Sequence, residues 1–149
     1  MKIVATNRKV YSAYEIFEEF ESGLVLKGCE VKSLRNSAVS LSDGYGQIKN
    51  GEVFLYNVHI SPYKEGSIYN PDPERPRKLL LKKSEIKKLF GRTQQRGFTI
   101  LPLKIYFNDR GIAKVTIGLA RGRREYDKKE KILREQLRRE LRKTKQLIK

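Results

Sequence analysis

A Cys/His nucleophilic pair could only be Cys29 with His59, since the chain holds one cysteine and one histidine. Such a pair works only when the imidazole reaches the thiol, and nothing in the sequence around either residue supports that. A lone histidine at a strand end is more often a hydrogen-bonding or stacking residue. The carboxylates Asp43, Asp72, Asp109 and Asp127 are scattered through loops without metal-ligand spacing. No glycine-rich segment leads into Lys-Ser or Lys-Thr, so there is no phosphate loop. The sequence therefore gives no positive sign of an enzyme and implies no cofactor and no metal. One cysteine also excludes an internal disulfide and fits a reducing compartment.

Binding chemistry is better represented. Aromatic and basic residues interleave at Asn7-Arg8-Lys9 near Tyr11, along Glu30 to Arg35, at His59 to Tyr63 and at Arg75 to Lys78. RNA suits that mixture, because splayed bases stack on rings or guanidinium planes while phosphates meet Lys and Arg. Glu30 stands out among these cations. A carboxylate repels a phosphate surface unless it accepts from a base or sugar hydroxyl, or orients an arginine. The net charge of +16 over 149 residues opposes compaction and points to a polyanionic partner, whose binding is then driven by counterion release.

The elements that must position these residues read mainly as strands. Tyr14 to Phe20 and Gly23 to Leu26 are β-prone and separated by a turn signal. Tyr45 to Lys49 and Val53 to Ile60 flank Asn50-Gly51, the dipeptide suited to the positive φ values of a tight hairpin. Phe98 to Phe107 and Ile112 to Leu119 flank Asn108-Asp109-Arg110-Gly111, a second hairpin. About six strand segments result. Two interruptions look helical: Glu30 to Arg35, and Ser84 to Gln95, with Ser84 as N-cap, Gly97 as the glycine stop, and Ile86, Leu89 and Phe90 as the apolar face. Four prolines make Ile60 to Lys78 an ordered extended loop and not a strand. The pattern predicts a mainly β protein with helices, an OB-type antiparallel barrel with two to three flanking helices; a split sheet with packed helices would read similarly.

Length favours one domain plus an extension. Residues 1–120 hold 20 basic and 12 acidic residues, net +8, and residues 121–149 hold 13 and 5, again net +8. That shift sets a boundary near residue 122, giving a barrel over 1–122 and a basic tail over 123–149. Within the tail, Asp127 with Lys131, Glu130 with Arg134 and Glu135 with Arg139 are acid-before-base pairs at i,i+4, the order a helix favours. Leu133, Leu137 and Leu141 form a stripe one residue wide. The tail is therefore expected to be flexible or fraying when free and to become helical on a partner. The N-terminus carries no apolar leader segment and no run approaches membrane-spanning length, which predicts a cytoplasmic protein with no membrane partner.

Taken in order, Asn7-Arg8-Lys9, Gly28-Cys29-Glu30-Val31-Lys32-Ser33-Leu34-Arg35, His59-Ile60-Ser61-Pro62-Tyr63, Asp72 through Leu81, Leu119-Ala120-Arg121-Gly122 and Tyr126-Asp127-Lys128 closely resemble the small protein B family, the SsrA-binding proteins of bacterial trans-translation. The resemblance runs essentially end to end. It implies an OB-type barrel without catalytic activity that binds the tRNA-like domain of tmRNA, as a monomer on the RNA. It also implies delivery to stalled ribosomes for ribosome rescue and the tagging of incomplete proteins. Carried over by position, the tmRNA face comprises Asn7, Arg8, Lys9, Glu30, Arg35, His59 and Tyr63, supported by Arg75, Arg77 and Lys78. The ribosome-facing set comprises Arg121, Arg123, Arg124, Tyr126, Asp127, Lys128 and Lys129, reaching the decoding centre and mRNA path. Lys129 departs from the family's Asp-Lys-Arg pattern; lysine keeps the charge and loses the planar fork. Cys29 stands where threonine is common, a small-residue exchange. A generic OB-type binder of structured RNA or of the ribosome, without tmRNA specificity, is the competing reading.

Overall fold

A computed structural model describes residues 1–63, 70–122 and 135–140. Among those up to residue 122, nine strands and three helices follow in the order β1 (Lys2–Thr6), α1 (Arg8–Ala13), β2 (Tyr14–Leu24), α2 (Gly28–Arg35), β3 (Val39–Ser40), β4 (Tyr45–Lys49), β5 (Glu52–Tyr56), β6 (His59–Ile60), β7 (Arg77–Leu80), α3 (Lys83–Thr93), β8 (Phe98–Phe107) and β9 (Ala113–Gly122). Residues 135–140 are helical and exposed.

All pairings are antiparallel. The main sheet runs β1-β8-β4-β5-β7-β2-β9, and β9 pairs back onto β8. The sheet thus closes into a ring of six strands, with β1 added outside β8, so the expected barrel is present. β3 and β6 form a separate ribbon, with Ser40 opposite His59. Closure leaves no free edge within the ring.

Inward-facing residues of the ring form one core that includes Leu55, Leu79, Ile100, Ile105, Val115 and Ile117, and α2 and α3 add Leu34 and Leu89 to it. Both of those leucines are 0% exposed. Burying each stabilises its helix on the barrel by ~1.5–3 kcal/mol. A smaller cluster lies outside the wall, where Val10 of α1 packs on Leu101, Leu103 and Ala120.

Several boundaries differ from the sequence reading. β2 is one strand, with no turn between Phe20 and Gly23, because Ser22 sits opposite Val115. The Ser22 hydroxyl is buried and donates to the carbonyl of Gly23 at 2.8 Å. The run Val53 to Ile60 breaks at Asn57, whose φ is +58°, and His59–Ile60 leaves the ring to pair with β3. The proline-rich stretch ends sooner than expected: Pro76 limits it, and Arg77 and Lys78 already belong to β7. For α3 the N-cap is Lys82 rather than Ser84, since the Glu85 carboxylate accepts the Lys82 backbone N–H at 3.0 Å. The Asn50-Gly51 hairpin is as predicted, with φ of +52° and +75°.

Candidate nucleic-acid interface

Glu30 lies in the first turn of α2 and is 2% exposed. One carboxylate oxygen accepts the Lys27 backbone N–H at 2.9 Å and Arg75 Nε and Nη2 at 3.1 and 2.5 Å. The other accepts Arg77 Nε at 2.7 Å, with Arg77 Nη2 at 2.6 Å. Of the roles open to an acid in a basic surface, the structure shows that of orienting arginines. Burial penalises the ionised carboxyl, but hydrogen bonds from Arg75, the Lys27 backbone and Arg77 outweigh it and hold Glu30 below the ordinary carboxylate range.

Arg77 is the deepest member. It is 0% exposed because β7 turns it inward at the position opposite Leu55. Its Nη1 donates to the Val58 carbonyl at 2.5 Å and its Nη2 to the Pro73 carbonyl at 2.9 Å. Burial pulls this guanidinium below its usual pKa, opposed by the hydrogen bond and charge of Glu30; an arginine still keeps its proton at neutral pH. The Pro73 carbonyl also accepts the Ile60 N–H at 3.0 Å. Arg77 thereby ties α2, β6 and the 72–76 segment into one unit. Arg75 is the outer member, 23% exposed at its side chain, and it stands where a phosphate could reach it.

His59 and Tyr63 adjoin this unit, and Arg35 lies on the same helix as Glu30. Arg35 is exposed at the last turn of α2. His59 Nδ1 lies 3.7 Å from Glu74 Oε1, an ion pair whenever the imidazole is protonated. The Tyr63 backbone is clasped by Asn70, which accepts the Tyr63 N–H at 3.0 Å and donates to its carbonyl at 2.8 Å. Lys32 Nζ sits 5.5 Å from the Tyr63 ring centroid, in cation–π range. Lys32 belongs to the same α2 motif but not to the expected contact set; its spacing of two from Glu30 shows only in three dimensions why it reaches Tyr63.

Asn7, Arg8 and Lys9 open α1. The side chain of Asn7 is buried, and its amide donates to the carbonyls of Leu41 and Pro102, both at 3.1 Å. It anchors the start of α1 to the segment after β3, leaving Arg8 and Lys9 exposed. Lys78 is not part of the Glu30 cluster: it faces outward on β7 and donates to Glu52 at 2.9 Å.

Arg121 lies at the end of β9 opposite Phe98. Its guanidinium is 5.4 Å from the Phe17 ring centroid and 5.1 Å from that of Phe98. The two rings meet edge to face at 5.2 Å and 61°. Sequence reading gave neither phenylalanine a role, because Phe17 and Phe98 are 81 positions apart and converge only through the barrel. Arg123, Arg124, Tyr126, Asp127, Lys128 and Lys129 lie outside the described residues, as does the expected coil-to-helix behaviour of 123–134 and 141–149. Among the described residues no group of three or more His, Cys, Asp or Glu could hold a metal ion. No helix there is long and apolar enough to cross a membrane.

A family model described as SmpB protein matches residues 4–147. An SsrA-binding protein of Enterococcus faecalis is 52% identical over 143 residues, covering 96% of this chain and 92% of the relative. One from Thermosipho melanesiensis is 52% identical over 142 residues, covering 95% and 97%. Among solved structures, a chain from a study described as "tmRNA-SmpB: a journey to the center of the bacterial ribosome" matches with a TM-score of 0.69 and 51% identity, covering 79% of this chain and 82% of that one.

Proposed function

The chain belongs to the SmpB family, and on that footing we propose that it is an RNA-binding factor that binds the tRNA-like domain of tmRNA and delivers it to stalled ribosomes. There translation resumes on the tmRNA reading frame and the incomplete product is tagged for degradation. The observation that carries this reading is the match in sequence and fold to relatives that bind SsrA RNA and to a tmRNA–SmpB structure. The protein performs no reaction of its own and works in the cytoplasm.

Physical chemistry divides the roles. Arg8, Lys9, Arg35, His59, Tyr63 and Arg75 are accessible and form the RNA-contacting set. Asn7, Glu30 and Arg77 are buried and act by holding that set in place. Lys78, its charge offset by Glu52 on the outer wall, supports the set through its place on β7 beside Arg77. Residues 1–122 act as the tmRNA-binding body and 123–149 as the ribosome-reading tail, with Arg121 at the root and Arg123, Arg124, Tyr126, Asp127, Lys128 and Lys129 along it.

A competition binding assay tests this, with labelled tmRNA challenged by bulk tRNA at two salt concentrations. Preference for tmRNA that persists as salt rises supports shape and base readout. Equal competition by any structured RNA, with affinity tracking charge alone, is the outcome for a generic OB-type binder.

A further inference from the structure

Up to Ser61 the segment that leads to Tyr63 is held by backbone hydrogen bonds. Val39 and Ser40 pair with Ile60 and His59. The Ile60 N–H donates to the Pro73 carbonyl at 3.0 Å, and the Ser61 N–H to the Ala38 carbonyl at 2.9 Å. Pro62 interrupts this ladder, because it has no N–H to give. Tyr63 is the next residue, and there a side chain takes over: the Asn70 carboxamide accepts the Tyr63 N–H at 3.0 Å and donates to its carbonyl at 2.8 Å. One amide thus makes both bonds that a neighbouring strand would make. An aspartate in its place would only accept when ionised, and an alanine would do neither.

Asn70 is itself fixed from its C-terminal side. Pro71 follows it, and a residue before proline is confined to extended backbone. The turn beyond is closed by Asp72, whose carbonyl accepts the Arg75 N–H at 3.1 Å and whose carboxylate accepts the Glu74 N–H at 2.9 Å. Within that turn the Pro73 carbonyl accepts Nη2 of the buried Arg77, the partner of Glu30. The segment 70–73 therefore refers the Tyr63 backbone to the Glu30 unit. A second tie reaches the ring: Lys32, on the same helix as Glu30, holds its ammonium 5.5 Å from the ring centroid. A residue ordered before its partner arrives spares the binding step the cost of ordering it.

We propose that Asn70 is a positioning residue for RNA binding: its carboxamide fixes the Tyr63 backbone so that the ring is already set to meet the tRNA-like domain, and Asn70 itself touches no RNA. The proposal rests on the reading of Tyr63 as a tmRNA contact.

The test uses the full chain and a transcript of the isolated tRNA-like domain, with Asn70→Ala, Tyr63→Ala and the double variant. None of these changes the net charge, and affinities are compared well below the thermal midpoints. Tyr63→Ala is expected to lose roughly tenfold in affinity, as for a lost stacking ring. Asn70→Ala is expected to lose roughly threefold to tenfold. Both should leave the slope of log affinity against log salt unchanged, because no cation is removed. Since Asn70 acts through Tyr63, the double variant should bind as Tyr63→Ala does, to within about twofold. Amide hydrogen exchange, read without RNA, follows the clasp itself. The Tyr63 N–H should be protected in the wild type and exchange roughly tenfold faster or more in Asn70→Ala, while Ile60 and Ser61 keep their protection. Wild-type affinity in Asn70→Ala beside a weakened Tyr63→Ala, losses that multiply in the double variant, or a freely exchanging Tyr63 N–H in the wild type overturns the proposal. Loss of protection at Ile60 and Ser61 together with Tyr63 overturns it as well, since Asn70 would then serve the fold at large. Tyr63→Ala binding the transcript as tightly as the wild type would instead refute the reading of Tyr63 as a tmRNA contact.

Discussion

Replacing Glu30 with alanine should act first on stability and only through stability and orientation on RNA binding. The substitution removes the acceptor of four donors, the Lys27 N–H, Arg75 Nε and Nη2, and Arg77 Nε. It leaves the Arg77 guanidinium 0% exposed, still donating to Val58 and Pro73 but without a counter-charge. Removing one partner of a buried ion pair costs about 3–5 kcal/mol. Arg75 is partly exposed and can turn to water, so about 3 kcal/mol is expected. For a chain of this size that lowers the thermal midpoint by about 6–12 °C. Urea unfolding at neutral pH measures the loss directly, and binding of the tRNA-like domain is measured below the midpoint. Affinity should fall about tenfold to a hundredfold, equivalent to a charged hydrogen bond of about 1.5–3 kcal/mol from a misplaced Arg75. The double variant Glu30→Met, Arg77→Met replaces the buried pair by apolar groups; it should recover most of the stability while RNA affinity stays low. If Glu30→Ala loses less than about 1 kcal/mol and RNA binding still collapses, Glu30 touches RNA itself and the positioning role is wrong.

Three further outcomes follow from the same contacts. Because Glu30 is held below the ordinary carboxylate value, its contribution is complete above pH ~4.3 and is lost as pH falls through its lower folded value; urea midpoints should drop steeply in acid for the wild type and less steeply for Glu30→Gln. Asn7→Ala leaves the Leu41 and Pro102 carbonyls without their amide donor and should cost about 1–3 kcal/mol by chemical denaturation, with Asn7→Asp no better because it also lacks the donor. Arg121→Ala removes a guanidinium from two rings, worth about 1–2 kcal/mol when partly desolvated; ribosome binding should weaken while tRNA-like-domain binding stays level.

The sequence made the barrel legible where local chemistry agreed with the ladder. Asn50-Gly51 and the Asn108 to Gly111 loop name their own turns, and the apolar run Phe98 to Phe107 is a strand buried on both faces of the wall. It misled where tertiary pairing decided. Nothing near Ser22 says that its hydroxyl will be buried, so a turn was the natural reading of a segment that β9 keeps straight. β1, α1, β3 and β6 are short, and each is fixed by a distant partner rather than by its own periodicity. Among site residues, charge marked Glu30 as anomalous, but which of its possible roles it plays depends on Arg75 and Arg77, some 45 positions away. The inward turn of Arg77 and outward turn of Lys78 follow from strand alternation once β7 is known. The stretch's prolines concealed that strand.

The division of labour between barrel and tail is tested most directly by reconstituted translation on an mRNA lacking a stop codon. Tag addition and tmRNA affinity are measured side by side for the full chain and for a chain ending at Gly122. The account predicts that the shortened protein binds tmRNA nearly as well as the full chain and adds little or no tag. Full tagging without residues 123–149, or a loss of tmRNA affinity as large as the loss of tagging, would contradict it.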